Sequence, residues 1–212
     1  MRYCMLEDSD ADLEQSILYF TEAIFLPLPW QAPSSNVIQT FFYIARVLFI
    51  RAKKFRHPED VTRLIIYLRY LHEQSRQSSE VFEDPLNTVT ELLVSALGFR
   101  AAQAAMKFGN ARQDIEEMAG LCQELFKSDM STTSLTGLIR DFANIVQAHF
   151  RFGRLDRQQE PSDKVIECLR EASILLLDSH WVSSWVSLAL AWALFARFRI
   201  GYSNEEIGRA HV

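Results

Sequence analysis

Glycine and proline are scarce in this chain, 7 and 6 in 212 residues. An all-β sandwich or barrel spends both freely in its turns, so that class is disfavoured. Cysteine is scarcer still. Cys4, Cys122 and Cys168 form an odd set without paired spacing, which yields neither a disulfide framework nor a Cys-x-x-Cys zinc pattern. Cys122 and Cys168 fall on apolar faces, where a free thiol behaves as a small hydrophobe. Basic residues do not exceed acidic ones: Lys+Arg is 22, Asp+Glu 27, and the net charge −5. The basic footprint of a nucleic-acid binder is missing, and no nucleic-acid partner is expected.

No apolar segment of signal-peptide length precedes the acidic run in MRYCMLEDSD. Together with the cysteine usage, this sets a reducing, cytoplasmic localisation as the expectation. The longest uncharged stretch, Trp181 to Ala196, has 16 residues with three serines inside it. That is short of the about 20 residues a membrane span needs. It reads as a helix buried on most sides within a bundle, and no membrane span is expected.

What remains is ordinary globular composition, 49% apolar and 23% charged. The apolar residues recur with helical spacing. Leu13, Ile17, Phe20 and Ile24 mark one face of a helix over about 12–26, which Pro27, Pro29 and Pro33 end. Further helices are expected near 36–55, 60–74, 87–108, 110–127, 135–152, 161–178 and 182–201. The segments between them, such as SDMSTTS and GRLDRQQEPSD, have loop composition. No segment alternates as a strand would.

The helices repeat. With Asp12, Asp60, Asn110 and Pro161 in register, isoleucine stands five positions on in every copy, at Ile17, Ile65, Ile115 and Ile166. Eight positions on come Phe20, Leu68, Met118 and Leu169, and eleven on Ala23, Leu71, Leu121 and Ala172. The intervening helices share a small residue, Ala45, Ala96, Ala143 and Ala191, where a neighbouring helix can approach closely. A period of about 48–51 residues across two helix types indicates stacked helical hairpins.

These registers resemble tetratricopeptide-type repeats, in which the first helix carries a small residue at its eighth position and the second follows an acidic turn. DLEQSILYFTEAIFLPL, PEDVTRLIIYLRYL and NARQDIEEMAGLCQELF are similar to repeats of a large family of fungal (mushroom-type) tetratricopeptide proteins, whose members often carry a caspase-like CHAT peptidase domain. The resemblance implies an all-α, right-handed superhelical stack of about four antiparallel hairpins over residues 1–205. The repeat is longer than the about 34 residues usual for the type. Phe41, Leu92, Ile139 and Ser187 stand where its tryptophan would be. The same registers are compatible with a HEAT-like or irregular helical array.

The final residues, Ile207–Val212, read as translated short-read sequencing adapter, so 206–212 is expected to be a non-native tail of a fragment. Ser203–Glu206 would then open a helix that this tail cannot complete. The face around Trp185, Leu188, Trp192 and Phe195 is accordingly expected to be partly exposed and to favour self-association.

No catalytic, cofactor or metal motif is present: the five histidines lack metal-ligand spacing, and no phosphate loop or nucleophile elbow occurs. The chain is therefore expected to be no enzyme, to need no cofactor, and to act as a scaffold that holds a protein or peptide segment. The alternative is the regulatory repeat region of a truncated CHAT-type peptidase. By the resemblance, the concave groove falls at columns 2, 5, 9 and 12 of the first helices. These include Gln39, Arg46, Thr90, Arg100, Arg140, Asn144, Gln147, Trp185 and Trp192. Arg46, Arg100 and Arg140 would make that groove attractive to an acidic segment. The basic run Arg46, Arg51, Lys53, Lys54, Arg56, His57 reads as a solvated helix end, where cations favour the dipole. Trp181, Trp185 and Trp192 share one helix at i, i+4, i+11 and are expected in the core or an inter-repeat face, with an aromatic binding wall as the alternative.

Overall fold

The computed structural model describes residues 14–15, 17–19, 35–55, 58–77, 85–106, 111–128, 132–152, 161–176 and 180–210. Among them every regular element is helical and none is a strand. Of the first expected helix, Glu14, Gln15 and 17–19 are described and are helical. The rest of that helix, with Cys4, lies outside the described residues.

The helices are α1 (Ser35–Phe55), α2 (Pro58–Gln77), α3 (Pro85–Met106), α4 (Arg112–Phe126), α5 (Thr132–Phe152), α6 (Asp163–Leu175) and α7 (His180–Ala210). Their starts follow local chemistry. Pro58 opens α2, where its missing N–H costs nothing, and Glu59 and Asp60 sit in the first turn at the positive end of the dipole. Ser162, extended at φ −67 and ψ 154, precedes α6, with Asp163 in its first turn.

The chain divides into two compact units, Met1–Ala96 and Leu97–Val212. In the first, α1 and α2 form an antiparallel hairpin. Phe41 packs on Tyr70 with ring centroids 4.9 Å apart, and Arg51 Nε lies 3.0 Å from Asp60 Oδ2. A step forward along α1 is thus matched by a step back along α2. Ile44, Ala45 and Leu48 of α1 and Leu64, Ile65 and Leu68 of α2 are fully buried. Each large member of such a core contributes about 1.5–3 kcal/mol by leaving water. The Arg51–Asp60 pair is itself largely buried, so Arg51 leaves the expected solvated basic run and clamps the hairpin.

In the second unit α5 lies along α7 and α4 along α6, and the layers meet through α4 with α5 and α6 with α7. Arg100 of α3 donates two hydrogen bonds to Asp114 of α4, at 2.9 and 2.6 Å. Gly98 permits a close approach nearby. A Cβ there would stand 2.8 Å from Ile145 Cδ1 of α5 and 3.2 Å from Met118 Cε of α4.

The repeat columns hold in the second helices. Ile17, Ile65, Ile115 and Ile166 are all buried, as are Leu68, Met118 and Leu169. Ala45, Ala96 and Ala143 are buried too. Ala191 is not: α7 buries Val182, Val186, Ala189, Ala193 and Ala196, and this stripe turns Ala191 to solvent. Two further expectations fail in the same helix. It is covered along one stripe, not on most sides, with 28% of the Trp181–Ile200 window buried. And α7 does not end near residue 201 before a new helix at Ser203; it runs unbroken to Ala210. Gly201 and Gly208 weaken it by only about 1 kcal/mol each, and no proline interrupts its hydrogen bonds.

Candidate functional site

The α5–α7 surface gathers the most side chains suited to binding. The Arg140 guanidinium of α5 stands 5.9 Å from the Trp181 ring centroid of α7, and Arg151 stands 6.0 Å from that of Trp192. The sequence offset is the same in both pairs, so the two helices run parallel and in constant register. That register sets Asn144 beside Trp185. Arg199 closes the row, 5.8 Å from the Phe195 ring, and Trp192 meets Phe195 edge-on at 6.0 Å.

The rings are half-sunk. Trp181 is 56% exposed, Trp185 39% and Phe195 49%. These tryptophans therefore form a surface wall, not the core that their spacing suggested. Helical geometry explains the difference: Trp181, Trp185 and Trp192 lie roughly a quarter-turn from the buried stripe of Val182, Val186 and Ala189. An arginine over a tryptophan face gains about 0.5–1 kcal/mol at an exposed site and keeps donors available to a ligand. Arg140 also bonds the neighbouring Asp141 carboxylate through Nε at 2.9 Å, which offsets part of its charge.

Of the expected groove residues, Arg140, Asn144, Gln147, Trp185 and Trp192 lie on these two adjacent helices. Gln147 is buried beneath the surface. Arg100 belongs to the same unit, but its guanidinium is held by Asp114. Arg46 and Thr90 belong to the other unit. Arg46 is exposed; Thr90 is buried and its hydroxyl donates to the Leu86 carbonyl at 2.6 Å. The side chain of Gln39, like Lys53, Arg56 and His57, lies outside the described residues. The column rule passed over Arg151 and Arg199, whereas Phe195 stands at its column 12. Carrying the Arg140 stripe on by three helical turns reaches Arg151, so the signal was present.

A second concavity of about 220 Å³ lies between the start of α4, the end of α5 and the start of α6, lined by Arg112, Glu116, His149, Phe150, Ser162 and others. That space includes open solvent; the enclosed volume is about 10 Å³, far below the about 300–1,000 Å³ of ligand pockets. His149 is 3% exposed there, and burial lowers its pKa below the ordinary 6.5, keeping the imidazole neutral. Arg112 is engaged by Glu116 at 2.8 Å. Between α4 and α6, the Cys168 thiol hydrogen-bonds Cys122, and this with burial pushes its pKa up. Such a thiol stays protonated and is a poor nucleophile. Among the described residues no group of three or more His, Cys, Asp or Glu is placed to hold a metal ion.

Trp181–Ile200 is 20 residues long with mean hydropathy 1.3, so by length and composition it could cross a membrane; a core helix meets the same criterion. Comparison of the chain with protein-family models, curated proteins and solved structures gives no match.

Proposed function

We propose that this chain is a non-catalytic, cytoplasmic scaffold that binds a protein or peptide segment along the α5–α7 surface. The two parallel helices, as first helices of successive tetratricopeptide-like hairpins, would line the concave side of a superhelical stack. The antiparallel α1–α2 hairpin, the buried isoleucine column and the constant α5–α7 register support that architecture. One observation carries the functional reading: the row of half-exposed aromatic rings interleaved with arginines. Tryptophan and arginine dominate binding energy at protein interfaces, because each offers a large contact area and directed polar groups. The shifted titratable groups fit a binding role better than a catalytic one. His149 is buried, and the Cys168 thiol is held protonated.

Affinity capture from cells that express the chain, quantified for wild type and for Trp185→Ala with Arg140→Glu, tests the reading. At least one protein captured by wild type should fall by about tenfold or more with the variant. Identical capture by both would refute binding at this surface.

A further inference from the structure

Beyond the α5–α7 wall, α7 carries a second apolar stripe on the side opposite its buried one. Ser184, Leu188, Ala191, Phe195 and Phe198 follow one another at alternating steps of four and three residues. This is the spacing of a helix seam that packs knobs into holes. All five are exposed, Leu188 at 43% and Phe198 at 65%. From Trp181 to Ala196 the helix contains no charged residue, so the stripe offers nothing to steer a charged partner.

We propose that this stripe is a homodimer interface, occupied by α7 of a second copy in antiparallel orientation. The stripe is self-complementary in size. A two-fold axis between Leu188 and Ala191 places Leu188 against Ala191 of the partner subunit. It places Phe195 against Ser184 of the partner subunit. Leu188 and Phe195 then each face a small residue, and the symmetry makes every contact twice, as an isologous interface requires. At the ends, Phe198 meets Trp181 of the partner subunit.

Charge selects the orientation. Parallel pairing would set Arg199 beside its own counterpart, whereas Arg197 faces α6 and pairs with Asp163 at 2.8 Å. Antiparallel pairing holds the two Arg199 side chains about 28 Å apart along the helix axis, well beyond the about 8 Å screening length at physiological salt. A bilayer is the poorer occupant. A helix lying on lipid borders its apolar face with a cationic rim, whereas this stripe has cations on one border only, where Arg199 stands 5.8 Å from the Phe195 ring, with Ser187 and Leu194 on the other, and it alternates large with notched positions.

Sedimentation equilibrium of the full chain tests the proposal. At tens of micromolar the mass should be twice the 24.5 kDa of one chain. Ala191→Glu and Leu188→Glu, both at exposed positions, should each return it to a monomer with unchanged helical circular dichroism. Geometry is tested by mixing Ser184→Cys with Phe195→Cys under diamide. A disulfide-linked dimer should form from the mixture and from neither variant alone, because like positions lie about 16 Å apart. A wild-type monomer, a dimer that survives both glutamate substitutions, or crosslinking of either cysteine variant with itself would each overturn the proposal. So would a wild-type chain that stays monomeric yet sediments with phosphatidylserine vesicles, since lipid would then be the occupant. Trp181 and Phe195 belong to both surfaces, but Leu188 and Ala191 lie outside the α5–α7 wall, which the capture experiment tests separately through Arg140 and Trp185.

Discussion

The Arg140 guanidinium stands over the Trp181 ring at 5.9 Å and bonds Asp141 at 2.9 Å. One side chain thus joins two helices while remaining at the surface. This dual engagement makes Arg140 the residue at which binding and local packing are most easily separated. Arg140→Glu is predicted to weaken an acidic peptide probe by about tenfold in 20 mM salt and by much less in 0.5 M, where exposed charges are screened. Fluorescence anisotropy at the two salt concentrations measures the difference. Equal weakening at both would assign the effect to packing.

Ala143 and Ala191 were expected in equivalent columns, yet only Ala143 is buried. Ala143→Leu should therefore overpack the interior and lower stability by about 1–3 kcal/mol. Ala191→Leu, measured at a concentration low enough to keep the chain monomeric, should change it by less than about 0.5 kcal/mol, as surface substitutions do. Urea unfolding of the two variants gives the comparison.

Asp114 is nearly buried and takes both of its hydrogen bonds from Arg100. Arg100→Met leaves that carboxylate without its partner. The predicted loss is roughly 3 kcal/mol, with much of it recovered when Asp114→Asn is added. Denaturant midpoints of the single and double variants measure this coupling.

His149 titrates near 6.5 in the unfolded chain, and burial lowers its pKa in the fold. Between those two values the unfolded chain holds a proton that the folded chain lacks. Stability therefore rises with pH across that window and falls as pH drops below 6.5. His149→Phe should flatten this slope, which thermal unfolding at pH 5.5 and 7.5 detects.

Cys122 and Cys168 are buried, and the Cys168 thiol is shifted upward by its bond to Cys122. Both should resist a thiol reagent at pH 7.5 in the native chain and react rapidly in 6 M guanidinium. Rapid native labelling at either position would contradict this packing.

The second helices were legible in the sequence because each buries one narrow stripe, and a column such as Ile65, Ile115, Ile166 records it directly. The last helix was not. Nearly every position of α7 from Trp181 to Phe198 is apolar or small, so its sequence does not say which stripe is inward. Contacts with α5 and α6 decide it, and they turn Ala191, Trp181 and Trp185 outward. The arginines show a similar limit. Spacing placed Arg100 and Arg140 at two different groove columns, but only the fold reveals that Asp114 engages one and Asp141 with Trp181 the other. For Arg51, the buried Asp60 opposite it could not be inferred from a basic run at a helix end.

Docking of a ligand on the aromatic and arginine row between α5 and α7 would shield its three tryptophans from solvent. Hydroxyl-radical footprinting, with and without a protein recovered in the capture experiment, tests it most directly. Oxidation of Trp181, Trp185 and Trp192 should fall several-fold in the complex. Unchanged oxidation of all three, with protection elsewhere on the chain, would contradict it.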